Sequence, residues 1–556
     1  VWGGLALVLA GGLGLRLWGI KQGLPYAYNA DEADHFVPHA IAMFGHDLNP
    51  HYFANPPAYT YLLHYLFAIA YGGSAGVRRA LATHPADVYT LARVAAALLG
   101  TLALWLLYAT AARLCGRAVA VLAAAIEAVA FLPVFYAHLA LNDVPTLAPL
   151  TLSLLGSAGV LRKGRLRDHL LAGAGLGLAC ASKYTAGIVL LPYLAAVAAS
   201  YLEISADPER GSASAARRAL GGVGLAGAGA LVAFLLANPY ALLDYTAFHA
   251  ELVHQSTLSA EAQGKLGAPH DGGLAYYLWT LTWGLGWAPA LAALGGAVSV
   301  WWRERALGWM LVPAPLLYLA FMGLQGRYFG RWLLPIFPLL CLLAALFAMQ
   351  LVGAIARRHP RLRLAAGALI AAALLAQGLV YGVHAGGTLA RADTRNLTRA
   401  WMLAHIPAGA PIVVEPVAPN GWGILWNKYP SLLLRISPAT GALAPTTTKI
   451  GIEDYERTLA PALIGYYRAH GYCWIVSGST ESGRAFADPG AVPRALAYYR
   501  ALARAGTVVH RSSPYTPGEG PVAFDFDWSF DYYPLAYQRP GPAMTVYRLH
   551  GGRCGR

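Results

Sequence analysis

Charge is scarce in this chain. Only 12% of its 556 residues are Asp, Glu, Lys or Arg, roughly half the share typical of a soluble globular protein. Acidic residues are the scarcer sign, 27 against 41 basic ones, for a formal net charge of +14. Apolar side chains make up 57% of the chain and gather in runs of about 20 residues, enough to cross a hydrocarbon core of about 30 Å. These features exclude a soluble enzyme and predict a polytopic membrane protein. The positive excess does not call for nucleic acid, because the arginines fall in short clusters between apolar runs, as loop charge does when it fixes orientation in a membrane. The expected surroundings are membrane lipids.

Cysteine is sparse too: Cys115, Cys180, Cys341, Cys473 and Cys554. No CxxC or Cys/His spacing is present, which excludes a zinc cluster and a disulfide framework. A Cys473–Cys554 bridge requires an extracytoplasmic tail, and Cys473, in Tyr472-Cys473-Trp474-Ile475-Val476, reads more simply as a buried strand residue. There is no P-loop, and no Rossmann glycine fingerprint follows a strand, so nucleotide use is not indicated. No internal repeat has a fixed period. The chain opens at Val1 already inside an apolar run, so residues are expected ahead of it, and a leader peptide is left open.

The apolar runs predict about eleven spans, near 1–20, 89–113, 117–137, 143–161, 168–182, 184–202, 219–239, 275–302, 306–324, 332–352 and 364–385. The fifth and sixth are short and separated only by Ser182-Lys183-Tyr184, as half-helices or one bent pair would be. Gly and Ala abound in the spans, which favours close helix packing. Positive charge collects in alternate loops: Arg113 and Arg117; Arg162, Lys163, Arg165 and Arg167; Arg210, Arg217 and Arg218; Arg303 and Arg305; Arg357, Arg358, Arg361 and Arg363. Placing these inside puts residues 21–88, 138–142, 240–274, 325–331 and the tail outside. The expected architecture is mainly α: a membrane bundle over 1–386 with outer loops 21–88 and 240–274, and an extracytoplasmic α/β domain over 387–556. In the first loop, Glu32–Phe44 predicts a surface helix and Ala58–Tyr71 an interfacial one. In the tail, 393–405 and 492–505 predict helices, and 411–415, 474–476, 507–509 and 545–547 predict strands.

The polar residues gathered on the outer side are the candidate site. Asn29-Ala30-Asp31-Glu32-Ala33-Asp34-His35 places carboxylates at a membrane surface. Asp31 and Glu32 suit general-base work on an acceptor, although Asp is also a favoured helix N-cap. Asp31 and His35 share a helix face, and His35, like His254, carries only a loose metal signal; a divalent metal is left open and no cofactor is assigned. Asp143 stands at the mouth of the fourth span, where a carboxylate is either functional or a cap. Lys183 lies between two short apolar runs, where it snorkels or meets a lipid phosphate. Arg327 and Arg331, in Gly326-Arg327-Tyr328-Phe329-Gly330-Arg331-Trp332, run against the positive-inside pattern, and contact with an anionic headgroup is one reason for that. The loop 240–274 adds His249, Glu251, His254, Glu261, His270 and Asp271.

Taken together, the acidic loop, Asn55-Pro56-Pro57-Ala58-Tyr59, Leu141-Asn142-Asp143-Val144-Pro145, Ala181-Ser182-Lys183-Tyr184-Thr185 and the stretch from Gly326 to Pro338 resemble the GT-C integral-membrane glycosyltransferases of the family 39 type. That group includes protein O-mannosyltransferases and is related to the bacterial aminoarabinose transferase of lipid A. The resemblance covers about residues 1–340. It implies a polyprenyl-phosphate sugar donor, an inverting transfer to an acceptor outside the cytoplasm, and an inner-membrane location. It further implies Asp31 as base with Glu32 beside it, Asp143 as the second acidic position, and Lys183 and Arg327 as donor phosphate contacts, joined by Tyr184, Tyr328, Arg331 and Asn55 as substrate-binding candidates. Asn55 departs from the family pattern, which usually has His before the Pro-Pro pair. A transporter or lipid flippase is the competing class, and a non-catalytic envelope scaffold the third; the sugar and acceptor are not legible.

Overall fold

Each apolar run folds as helix, because in a hydrocarbon-like environment the backbone must satisfy its own hydrogen bonds. The computed structural model describes residues 2–206, 211–260, 266, 272–417, 422, 434–436, 443–445, 455–524 and 534–555. Seven of its helices are long and apolar enough to cross a membrane, and the first run is a shorter apolar helix, α1 (Trp2–Leu17). The count differs from eleven for local reasons. The third run breaks at Ala130, which is extended between α4 (Arg117–Val129) and a short turn of helix carrying Pro133. The fourth and fifth runs make the 17-residue helices α5 (Leu147–Lys163) and α6 (Leu166–Ser182). Between α1 and α4 come α2 (Ala58–Tyr71) and α3 (Pro85–Cys115); after α6 come α7 (Leu190–Ser205), α8 (Gly211–Ala237) and α9 (Tyr245–Ala260).

The chain divides into two units. The first comprises Val1–Ile20, His35–Glu261 and Asp271–Gly386; the second comprises Lys21–Asp34, Ala262–His270 and Gly387–Arg556. In the first unit, small residues set the helix spacing. A Cβ at Gly173 of α6 would lie 2.0 Å from the Ala226 carbonyl oxygen of α8, and one at Gly177 would lie 2.1 Å from that of Ala230. Toward α5, a Cβ at Gly175 would fall 2.4 Å from the Ser153 nitrogen. Thus α6 is pressed backbone-to-backbone against two neighbours, as small-residue packing allows. α1 is tied to α4 differently. The buried Arg16 guanidinium donates to the Gly12 and Ala128 carbonyls at 2.9 and 3.0 Å, and it reaches them across Gly100 of α3, where a Cβ would stand 3.3 Å from its Nε.

The second unit is α/β. Its four-stranded sheet has the order β1-β4-β6-β5, with β1 (Ile412–Val414) parallel to β4 (Trp474–Gly478) and the pairs β4/β6 and β5/β6 antiparallel; β5 is Gly506–Ser512 and β6 is Met544–Leu549. A separate ribbon pairs β2 (Leu434–Ile436) with β3 (Leu443–Pro445). Side chains alternate between the faces. Val413 and Ile475 face one apolar core with Leu463, Tyr498 and Leu502, while Ile412, Val414 and Val476 face another with Met402 and Trp422. Both faces are covered, which is why these strands read as continuous apolar runs. Helix 394–405 starts as expected, with the Asp393 carboxylate accepting from the Arg395 backbone N–H at 2.8 Å.

Two features correct the sequence reading. Cys473 and Cys554 are disulfide-bonded, their Cα atoms 5.3 Å apart; Cys473 precedes β4 and is only half-buried, so the plain strand assignment fails. Residues 21–34 belong to the second unit. Asn396 donates to the Gly23 carbonyl at 3.1 Å, the Trp422 indole donates to the Tyr28 hydroxyl at 2.9 Å, and the Arg395 guanidinium lies 3.6 Å over the Tyr28 ring. Arg210, Glu261, Lys265, His270 and Asp271 lie outside the described residues.

Candidate active site

The site grows from a break in the helices. α6 stops at Ser182, and Lys183 is extended before a 3₁₀ turn at Tyr184–Val189. A helix C-terminus leaves carbonyls without intrahelical partners. Here the Asn142 side-chain amide donates to the Ser182 carbonyl at 2.6 Å. Asn142 itself lies in 137–146, a buried stretch between helices in which Thr146 folds back on the Asn142 carbonyl at 2.7 Å. Irregular backbone at such depth is tolerated where protein buries it. The next residue on each side forms the next contact: the Lys183 ammonium donates to the Asp143 carboxylate. Adjacent residues on one segment thus engage adjacent residues on the other.

A third group joins them. The Arg331 Nε lies 3.7 Å from the other Asp143 oxygen, and its guanidinium stacks 4.2 Å over the Phe329 ring and 5.8 Å from that of Tyr136. All three side chains are largely buried, 5% exposed for Asp143, 9% for Arg331 and 14% for Lys183. Two cations therefore share one carboxylate, in a setting where charge–charge interaction is weakly screened. Tyr318 braces the pair from outside it. Its hydroxyl donates to the Trp332 carbonyl at 2.7 Å and shares a 3.1 Å hydrogen bond with the Thr185 hydroxyl. Sequence reading missed Tyr318; its only signal was a tyrosine inside an apolar helix.

Beside the cluster runs an apolar groove of about 480 Å³. Leu62 of α2, Leu102 and Trp105 of α3, Pro149 of α5 and Leu178 of α6 line it, and so do Ser182, next to Lys183 in the chain, and Pro145, two residues past Asp143.

The remaining candidates fall elsewhere. Tyr184 donates its hydroxyl to the Phe53 carbonyl at 2.9 Å. Asn55 donates to the Tyr52 hydroxyl at 2.7 Å, and Tyr52 stacks on both His35 and His39, ring centroids 4.8 and 4.7 Å away. Arg327 is half-buried, its backbone N–H held by the Ser259 carbonyl at 3.2 Å, and Tyr328 packs on Tyr276 with centroids 4.7 Å apart. Lys183 thus meets Arg331 at Asp143. His254 is exposed on α9. Among the described residues, no group of three or more His, Cys, Asp or Glu side chains is placed to hold a metal ion. Asp31 and Glu32 are carried by the second unit. There the Asn29 side chain accepts from the backbone N–H groups of Asp31 and Glu32 at 3.1 and 3.2 Å. Asn29, not Asp31, caps this helix start. Glu32 is buried and opens a π-helical turn, Glu32–Phe36.

The family model of dolichyl-phosphate-mannose-protein mannosyltransferases matches residues 86–210. No curated protein matches the chain. Among solved structures, the apo oligosaccharyltransferase of Archaeoglobus fulgidus is similar at 14% identity and a TM-score of 0.49, over 93% of this chain and 73% of that one. ArnT from Cupriavidus metallidurans, bound to undecaprenyl phosphate, is similar at 13% identity and a TM-score of 0.48, over 98% of each chain. The arabinofuranosyltransferase AftD from Mycobacteria is similar at 15% identity and a TM-score of 0.45, over 99% of this chain and 40% of that one. Asp143 and Lys183 lie within the segment the family model covers, and through that segment the chain resembles the GT-C membrane glycosyltransferases, as its motifs anticipated.

Proposed function

We propose that the chain transfers a sugar from a polyprenyl-phosphate-linked donor to an acceptor outside the cytoplasm. The observation that carries this reading is the pairing of Lys183 and Arg331 on Asp143, with Ser182, the residue before Lys183, lining an apolar groove. A lipid phosphate needs both parts: apolar walls for the isoprenoid chain and cations for the head. When the sugar's C1–O bond breaks, the phosphate leaves with its charge increased. Cations already oriented toward that charge stabilise it without reorganisation, and a guanidinium suits phosphate through its paired N–H donors. Asp143 acts here through its partners, holding two mutually repelling cations side by side.

Asp31 is the base in this proposal and takes the acceptor's proton as its oxygen or nitrogen attacks C1. Support comes from the acidic motif and from Asn29, which already fills the capping role. Glu32, buried beside it, positions Asp31. Opposite-face attack inverts C1. The disulfide between Cys473 and Cys554 supports an oxidising, extracytoplasmic setting for the second unit, and the alternation of basic loops supports insertion in the plasma membrane with that face outward.

Two measurements test the reading. Mass spectrometry of the cell envelope with and without the protein should show one glycan-bearing species lost, whereas identical envelopes contradict a transferase. Asp31→Asn nearly preserves shape and should lower turnover about 10²-fold or more, as loss of a general base does, with donor binding intact. Near-normal turnover would remove Asp31 from the mechanism.

A further inference from the structure

The outer helix α9 carries a carboxylate with an unusual task. The Glu251 Oε2 atom accepts from two consecutive backbone N–H groups, those of Phe53 and Ala54, the second at 2.8 Å. The Phe53 carbonyl is held from the other side by the Tyr184 hydroxyl at 2.9 Å. Both polar groups of the Phe53 residue are thus taken, one by α9 and one by the residue after Lys183. Aromatic rings close the same clasp: Phe248 of α9 meets Phe53 edge-on at 5.9 Å and Tyr184 at 6.2 Å. Phe53 is fully buried. A second tie comes from Asp244, whose carboxylate accepts from Asn49 at 2.8 Å.

What the clasp joins matters for the donor. Chain running on from Phe53 and Ala54 passes Asn55-Pro56-Pro57 and enters α2, whose Ala58, Tyr59 and Leu62 form one wall of the apolar groove. The Tyr184 side of the clasp is continuous with Lys183 and with Ser182 on the other wall. The stiff Pro-Pro pair transmits position along the first arm. A carboxylate accepting two amide N–H bonds is a charge-assisted anchor, about twice as strong as a neutral one.

We propose that Glu251 is a positioning residue for the donor site: through the Phe53–Ala54 backbone and Tyr184 it fixes the groove wall of α2 against the Lys183 turn. The proposal rests on the donor reading above.

The test is titration of the full chain in detergent with a short-chain polyprenyl phosphate. Five variants are compared with the parent: Lys183→Ala, Glu251→Ala, Glu251→Gln, Tyr184→Phe, and Glu251→Ala combined with Tyr184→Phe. Glu251→Ala should weaken binding about tenfold, the order expected for a lost charge-assisted bond. Glu251→Gln retains an oxygen acceptor without charge and should recover about half of that loss on a logarithmic scale. Glu251→Ala combined with Tyr184→Phe should bind about as weakly as the worse single variant, because both grip one peptide. Parent-like affinity in Glu251→Ala, with Lys183→Ala impaired, overturns the positioning role and leaves the donor reading standing. Losses that fail to return in Glu251→Gln, together with additive losses in the double variant, also overturn it. Should Glu251→Ala not fold, Glu251→Gln decides alone: about a threefold loss supports the clasp, and none overturns it. If Lys183→Ala binds as the parent does, the donor reading falls and this proposal falls with it.

Discussion

At the residue scale the account turns on Asp143. Removing it leaves Lys183 and Arg331 as like charges with their shared partner gone, and breaking a buried pair from one side costs about 3–5 kcal/mol. Asp143→Ala should therefore melt well below the parent by thermal unfolding in detergent, and Asp143→Asn, which keeps the hydrogen-bonding shape, should fall between them. Equal melting of all three would mean the cations are held by other groups. Each member of the cluster was visible in the sequence as a charge at an outer boundary. Their meeting was not: Asp143 and Lys183 are 40 residues apart, and the bond that joins the two segments, Asn142 to the Ser182 carbonyl, has no local sequence signal. The sequence also favoured Arg327 over Arg331 for the phosphate, whereas Arg331 is the one that reaches Asp143. Nothing in the local sequence tells a base reader which of two arginines in Arg327-Tyr328-Phe329-Gly330-Arg331 turns inward.

A second residue-scale expectation lies in the second unit. Burial first, and then the neighbouring Glu481, push the Glu415 carboxyl up to about 8, against a hydrogen bond from the Gly478 backbone N–H at 3.2 Å. The folded form thus holds its proton more tightly than the unfolded chain. That contribution to stability is complete below about pH 4.5 and is lost as pH rises through about 8. Glu415→Gln should flatten the fall in melting temperature between those values and raise melting at pH 8 by several degrees, since about 1 kcal/mol shifts a domain of this size by about 2–4 °C. A parent-like pH profile would show that Glu415 does not titrate in this range.

At the element scale the packing of α6 is the sharpest expectation. Gly173 and Gly177 lie against the backbone of α8, and Gly175 lies against that of α5. Gly173→Leu has no room and should lower stability by about 1–3 kcal/mol or more, as overpacking does, and should displace the Lys183 turn at the end of the same helix. Gly173→Leu melting as the parent does would mean α6 and α8 separate freely. Gly-rich spans announced close packing in the sequence, but not which faces met. Helix positions were legible because apolar runs are long. The break at Lys183 was legible as Ser182-Lys183-Tyr184 between two short runs, whereas the one at Ala130, three residues before Pro133, lies inside a continuous apolar run and was not. Strands of the sheet were legible from their apolar runs; their order β1-β4-β6-β5 was not, because order is set by crossovers rather than by local pattern.

At the scale of the whole molecule, the stretch 21–88 is divided. Residues 21–34, with Asp31 and Glu32, belong with the tail, and His35 onward belongs with the helical unit. Contacts such as Asn396 to Gly23 span more than 370 residues, beyond any sequence pattern. Topology has its own test. A cysteine placed at exposed Glu519, in a background lacking Cys115, Cys180 and Cys341, should react with an impermeant thiol reagent in intact cells; reaction only after lysis would reverse the membrane orientation. Whether Lys183 and Arg331 hold the phosphate of a lipid donor is measured by comparing a short-chain polyprenyl phosphate with the polyprenol of equal length. The parent should bind the phosphate more tightly by about one to two powers of ten, the worth of one charged hydrogen bond or more. In Lys183→Ala and Arg331→Ala that preference should shrink toward nothing, while affinity for the alcohol stays unchanged. Equal binding of both lipids by the parent, or a phosphate preference undiminished in both variants, would contradict the account.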